Sequence, residues 1–440
     1  MIALARRRTE LGLIILGAVV TGLAYVLASL GRTSTLPADI VPFLGIVLGL
    51  LVTAHIATRR LAPGADPLLL PLAALLNGIG YVFIARLDEA SPHPDGLAGL
   101  QAAWTAIGVG AYIVTLLVVR RARDLARYRY TLLLIGVVLL LMPLAPGLGN
   151  QIRGARIWVS LGPIGFQPGE FAKIALAIFF AGYLVENREA LSLKAMDLKF
   201  LGPVVLAWAA SLVVMTAERD LGSSLLFFGL FVVMLWVATG RLVYLALGGG
   251  LFAAGSLFAW STFEHVQERV SIWLDPWKDV QGNGFQVVQS WFALAWGGIG
   301  GTGLGLGNPD RIPVVETDFI FAAIGEELGL FGTTAIIVAF LLLLGAGLRV
   351  AIRTDEPFEK LLAVGLTTLL ALQAFIIMGG VTRLLPLTGV TLPFVSYGGS
   401  SLVGNYVLLA LLVRVSDDNA RRRGEVPPPQ AKASSETVAA

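Results

Sequence analysis

The sequence has no cysteine, only three histidines and little charge. Without cysteine there is no disulfide framework, no thiolate metal site and no cysteine nucleophile. His55, His93 and His265 are far apart, so no histidine-rich metal motif is visible. Lys, Arg, Asp and Glu make up 14% of the 440 residues, against roughly 25% in soluble domains. The missing charge is absent from long blocks rather than thinned evenly. There is no P-loop, zinc motif or G-x-S-x-G pattern. Gly298 to Gly303 spells G-x-G-x-x-G, but no strand precedes it and the surrounding run is glycine-biased, which removes the nucleotide reading.

Apolar runs fill the space that charge leaves. A run of about 17–25 residues crosses a bilayer, and twelve stretches qualify as candidates: 11–30, 39–57, 68–85, 102–119, 131–148, 171–185, 203–217, 223–239, 243–261, 319–348, 361–379 and 400–414. Arg6, Arg7 and Arg8 before the first run imitate a signal peptide, but that run is long enough to span and is expected to stay. Glu326 and Glu327 near the start of the 319–348 run predict a tilted or partly unburied entry. With the N-terminal side taken as cytoplasmic, about 22 of the 32 basic residues fall on that side. That bias predicts an even number of spans with both termini in the cytoplasm. It also places 262–318, 149–170, 218–222 and 380–399 outside. The tail from Ser416 onward reads as disordered. The expected class is therefore an all-α polytopic membrane protein.

The longest polar interruption, Glu268 to Asp318, carries acids, Lys278, two arginines and four tryptophans. A long polar connection of this kind is usually functional. Four charged groups lie in or near the spans, where charge is costly and tends to be functional. Glu170 and Lys173 are three apart and share a helix face; they form either a helix-start ion pair or a wall of a substrate cavity. Arg153 and Arg156 beside Trp158 either snorkel to the interface or grip phosphate. Glu218, Arg219 and Asp220 either cap a span or take part in the site. Asp275, Lys278 and Asp279 are either solvated loop charges or substrate contacts. Trp273, Trp277 and Phe285 flank these acids, and such rings bind sugar faces or anchor a loop at the interface. Gly282 and Gly284 permit a tight backbone there. The stretch 384–401, with Pro386, Pro393, Gly398 and Gly399, is too interrupted for a helix and is expected to line a cavity.

Five motifs, in order, carry a family resemblance: GARIWVSLGPIGFQPGEFAK at 154–173, ERDLGSS at 218–224, RVSIWLDPWKDVQGNGFQVVQS at 269–290, TDFIFAAIGEELGLFG at 317–332 and LLPLTGVTLPFVSYGGSSL at 384–402. On these the chain resembles the SEDS proteins of bacterial cell-wall synthesis, the RodA/FtsW/SpoVE family, over about 68–415. The variant at 218–224 and the short inner tails incline the resemblance toward RodA. It implies a bundle of about ten core spans with a large outer loop at 262–318. Residues 1–67 are then an extra N-terminal hairpin, as in some actinobacterial-type members, and 416–440 a cytoplasmic tail. The chain departs from the family pattern at Val280, Gly169, Arg219 and Ile377. None of these removes an acid or a base, but Arg219 leaves the roles of Glu218 and Asp220 open.

The resemblance implies a peptidoglycan glycosyltransferase in the cytoplasmic membrane. Such an enzyme polymerises lipid II onto undecaprenyl-pyrophosphate-linked glycan beside a class B penicillin-binding protein, with no nucleic-acid partner. The family's essential loop aspartate falls on Asp279, as general base. Arg153, Arg156, Glu170, Lys173, Asp275, Lys278, Gln286 and Ser396 are the candidate substrate contacts. A divalent cation, Mg or Mn, could assist the pyrophosphate, with Glu170 orienting Lys173 or helping to hold the ion; no organic cofactor is expected. A lipid II flippase and a scaffold for the penicillin-binding protein are the alternatives. A flippase would need charge reaching both faces, whereas the polar motifs crowd one side.

Overall fold

The computed structural model describes residues 2–37, 40–90, 96–152, 155–161, 164–192 and 220–426, with scattered positions between 202 and 218. Long apolar stretches become long helices, because lipid offers no partner for backbone N–H and C=O groups. In chain order these are α1 (Ile2–Thr33), α2 (Ile40–Leu61), α3 (Leu69–Ala90), α4 (Leu97–Val118), α5 (Arg129–Leu141), α6 (Gly169–Glu186) and α7 (Arg188–Ser192). They continue as α8 (Leu221–Thr239), α9 (Val243–Thr262), α10 (Glu264–Leu274), α11 (Phe285–Gly297), α12 (Ile320–Arg353), α13 (Pro357–Val381) and α14 (Gly399–Arg422). Among the described residues, ten helices are long and apolar enough to span. The expected span at 171–185 is α6, a buried helix with charges at Glu170, Lys173 and Glu186. The expected span at 203–217 lies mostly outside the described residues.

Three features refine the expected all-α membrane bundle. Residues 149–166 form a three-stranded antiparallel sheet, β1 (Gly149–Ile152), β2 (Ala155–Leu161) and β3 (Ile164–Phe166), with Val159 opposite both Gly149 and Phe166. The β-branched and aromatic run Ile157, Trp158 and Val159 favours a strand once the chain leaves the spans, so the fold is nearly, not wholly, α-helical. The polar interruption is not an open loop either: α10, α11 and two short 3-10 turns, Pro276–Asp279 and Pro309–Arg311, occupy much of it. Finally, α14 runs past Ser416 to Arg422. Its charges are satisfied where they stand, since Asp417 accepts from Gly64 N at 2.7 Å and pairs with Arg414 and Arg421. Residues 427–440 of the expected tail lie outside the described residues.

Helices α6, α13 and α14 form the centre, with α3, α4 and α12 packed around them. Helices α2 and α9 turn apolar residues outward, among them Val41, Ile46, Phe258 and Trp260, the arrangement expected of a surface solvated by lipid tails. Helix α12 breaks at Gly329, where φ is 63° and ψ −158°, just after the buried pair Glu326 and Glu327. Helices α13 and α14 cross the whole bundle. The C-terminal end of α13 leads to Arg383, which donates to the Trp273 and Leu274 carbonyls. Its N-terminal turn holds Glu359, which Arg422 grips from the last turn of α14. With 25 residues in α13, these two ends are about 37 Å apart.

Candidate active site

The sequence around Asp279 folds into a tight knuckle. Asp275 caps the 3-10 turn by accepting from Trp277 N at 3.2 Å, and Pro276 fixes its first residue. Asp279 closes the turn. Its Oδ1 accepts from Gly282 N at 3.1 Å and its Oδ2 from Asn283 N at 2.9 Å. A Cβ on Gly282 would overlap the Asp279 carboxylate, and one on Gly284 would overlap the Pro276 carbonyl oxygen. The glycines are thus required for close approach rather than for positive φ. The carboxylate is exposed, and no basic side chain pairs with it among the described residues. An ionised carboxylate offers roughly four lone-pair sites, so two N–H donors fix it and leave the others for a proton.

Asn283 joins this knuckle to a cleft of about 240 Å³ between α10, α11 and the irregular segment after α13. Its side chain donates to Glu268, and both residues line the cleft with Arg269, Gln286, Asp318 and Arg383. Gln286 reaches the Pro313 carbonyl at 3.4 Å. Arg269 donates to the Leu387 carbonyl at 2.9 Å. Arg383 has φ +65°, clamps two carbonyls and lies 4.9 Å over the Trp291 ring. Of the stretch 384–401 expected to line a cavity, Leu385, Leu387 and Gly389 line this cleft. Arg269 and Arg383 were not among the expected site residues. Their signal was available: they are two of the few basic residues on the side expected to face outward.

The Glu170–Lys173 pair lies deeper. Both are buried, 2.5 Å apart, and Lys173 also donates to Gln373 Oε1 at 2.9 Å. Gln373 passes the network on to the Thr391 carbonyl at 3.0 Å and to Ser401. Asp220, the N-cap of α8, links this network to the cleft. Burial pushes its carboxyl above the usual carboxylate range; hydrogen bonds from Ser223 and the charge of Arg269 oppose that, and Glu170 adds to it. Its neighbour Glu218 is buried with one carboxyl oxygen unpartnered among the described residues, and burial followed by the Asp220 charge raises it to about 8.

The remaining expected residues fall as follows. Arg156 is half-buried on β2, tied by its N–H to the Glu218 carbonyl at 3.0 Å, which brings the sheet to the start of α8. Arg153 lies outside the described residues. Lys278 is exposed beside Asp279. Ser396 is buried and spends its hydroxyl on the Thr317 carbonyl, while accepting from Leu392 N. Among the described residues no three His, Asp or Glu converge to hold a metal, so the divalent-ion expectation has no such donor set of this chain behind it.

A polytopic helical bundle with a fixed, exposed carboxylate beside a cleft carrying two arginines defines a membrane protein with a polar site at one end. The chain belongs to the FtsW/RodA/SpoVE family, whose model, described as a cell cycle protein, matches residues 67–421. It is 47% identical over 430 residues to the peptidoglycan glycosyltransferase RodA of Mycobacterium tuberculosis, covering 95% of this chain and 92% of that protein. It is 36% identical to a probable peptidoglycan glycosyltransferase FtsW of Geobacter metallireducens, covering 80% and 94%. The chain is thus more RodA-like than FtsW-like. Among solved structures, it resembles a chain from a study of how a peptidoglycan synthase complex coordinates polymerization and crosslinking. The TM-score there is 0.67 at 29% identity, with 81% of this chain and 98% of that chain covered. An aspartate-to-alanine variant of the Thermus thermophilus rod shape determining protein RodA aligns with a TM-score of 0.60 at 25% identity, covering 81% and 98%.

Proposed function

We propose that this chain is a peptidoglycan glycosyltransferase that extends glycan strands from lipid II, with Asp279 as general base. The observation that carries the assignment is the Asp279 carboxylate itself, held by two backbone N–H groups at the rim of the cleft, with no cation paired to it among the described residues. A sugar hydroxyl is a poor nucleophile near neutral pH, and a positioned base contributes roughly 10²–10⁴-fold. Asp279 takes the proton of the acceptor 4-hydroxyl. The oxygen attacks the anomeric carbon of the donor, the pyrophosphate leaves from the opposite face, and the α-linked donor becomes a β-1,4 bond. One displacement with inversion needs no covalent nucleophile.

The leaving pyrophosphate calls for cations. Arg269 and Arg383 each use only part of their five N–H donors on carbonyls. With Arg156 they supply the charge. Lys173 is committed to Glu170 and Gln373 and positions the floor between α6 and α13. The arginine-poor end carrying Asp279 faces out of the cytoplasmic membrane, both termini face in, and a crosslinking penicillin-binding protein works beside the enzyme. Glycan formation from lipid II by the purified chain tests the assignment. Asp279→Asn should insert and fold normally and lose at least 10²-fold in rate. A variant that polymerises at the wild-type rate would remove Asp279 from the chemistry.

A further inference from the structure

At the end of the bundle opposite Asp279 lies a larger cleft, about 820 Å³, that the glycosyl-transfer chemistry does not use. Three separate stretches of chain send arginines into it: Arg60 from the end of α2, Arg120, Arg121 and Arg123 from the turn after α4, and Arg414, Arg421 and Arg422 from α14. Only two carboxylates, Glu359 and Asp418, share the lining. A general excess of inner arginines accounts for the sign of this end, but not for the convergence of seven on one cavity.

The arginines divide by what they already hold. Arg414 is buried and staples the helix ends, donating to the Leu61 carbonyl at 2.8 Å and the Leu116 carbonyl at 2.5 Å. Arg421 is bound to Asp417 at 2.7 Å and Arg422 to Glu359. Arg60, Arg120 and Arg121 are exposed, and none pairs with a carboxylate among the described residues. Beside them the wall turns apolar. Leu61, Leu116 and Leu117 line the cleft, and Leu117 and Val118 are 53% and 73% exposed at the last turn of α4. The cavity is therefore cationic where the chain leaves the membrane and apolar where the span begins.

We propose that this cleft binds an anionic phospholipid, its phosphate across Arg60, Arg120 and Arg121 and its acyl chains along Leu117 and Val118. Arginine forks match phosphate oxygens in pairs, and basic clefts between spans select anionic headgroups. The buried Arg414 staple holds α2, α4 and α14 together and so fixes the three donors around one point. An acidic or phosphorylated protein segment would need the charge but not the exposed leucine and valine lip.

The test is native mass spectrometry of the full-length protein in detergent with added phosphatidylglycerol or phosphatidylcholine. Wild type should retain phosphatidylglycerol in preference to phosphatidylcholine. The variant Arg60→Gln/Arg120→Gln/Arg121→Gln should lose roughly a hundredfold in that preference, at about fivefold per arginine. An equal loss of charge outside the cleft, Arg8→Gln/Arg127→Gln/Lys360→Gln, should leave it unchanged. Equal retention of the two lipids would overturn the proposal, as would a control variant that loses selectivity as fully as the cleft variant. Glycerol 3-phosphate at the same concentration should not displace the lipid; complete displacement would assign the site to a free phosphate compound instead.

Discussion

The two halves of the polar stretch between α9 and α12 look alike in sequence and are opposite in construction. Both place glycines beside acids, two in the first half and a dense run at 297–307 in the second. In the first half the loop's own carboxylate collects the loop's N–H groups: Asp279 accepts from Gly282 and Asn283. In the second half the loop gives its N–H groups away. Gly305 N donates to Glu327 and Asn308 N to Glu326, both on α12. Thr302 N and Gly303 N donate to the carbonyls of the same two residues. Glu327 in turn holds Arg86 of α3 at 2.6 Å, and Arg86 reaches the Gly307 carbonyl at 2.5 Å. The first half leaves its carboxylate exposed; the second is locked onto two spans through the buried acids of α12.

The largest expected effects follow from that contrast. Asp279→Asn should remove activity and leave stability nearly intact, because the asparagine oxygen still accepts one loop N–H. Glu327→Gln should do the reverse. It leaves the buried Arg86 guanidinium without its closest counter-charge, and breaking a buried pair on one side costs about 3–5 kcal/mol. Melting of the purified variants in one detergent, alongside their polymerisation rates, checks both. A Glu327→Gln variant that melts with wild type would mean that Arg86 rests on Asp310, 3.5 Å away.

How far this was legible in the sequence depends on how local the cause is. The spans follow from apolar length, and the proposal of Asp279 as base rests on a motif that keeps its spacing. The i, i+3 spacing of Glu170 and Lys173 announced their pairing. Their third partner, Gln373, is 200 residues from Lys173 in sequence, and no local pattern could supply it. Arg269 and Arg383 stood out as outward-side cations, but their convergence on one cleft was hidden, since each is placed by carbonyls more than 100 residues distant. The glycine run at 297–307 was unintelligible alone because its reason lies in other helices. Gly301 faces the Glu327 carbonyl, Gly305 faces the Ala28 carbonyl of α1, and Leu304 faces Gly31. The same contacts give the N-terminal hairpin a place, against the back of the loop. The helicity of α10 was obscured because its charges suggested a loop, and that of α11, which carries no charge, because glycines bound it on both sides.

Glycine substitutions sharpen the comparison at a smaller scale. Gly301 has φ +81°, and a Cβ there would strike the Glu327 backbone. Gly301→Ala should therefore cost about 1–3 kcal/mol in stability. Gly282 is not left-handed, and the nearest atoms its Cβ would meet are those of the Asp279 carboxylate. Gly282→Ala should fold almost as well as wild type and lose about 10²-fold in rate, the scale of a 1 Å misplacement of a reacting group. The reverse pattern, a stable Gly301→Ala and an active but unstable Gly282→Ala, would break the division between the halves.

Glu218 is the third way an acid is kept in this protein, with neither a pair of N–H donors nor an arginine on its unpartnered oxygen among the described residues. Burial, with the charge of Asp220 second, holds it at about 8, far above its ordinary value of 4.5. Between those two values the folded chain keeps the proton that the unfolded chain has released. The folded state then binds more protons than the unfolded state, and stability falls as pH rises through that window. Glu218→Gln removes the titration, so its melting temperature should vary less than that of wild type between pH 5 and 8 and exceed it at pH 8. Two parallel curves would place a counter-charge at Glu218 and return it to the same class as Glu327.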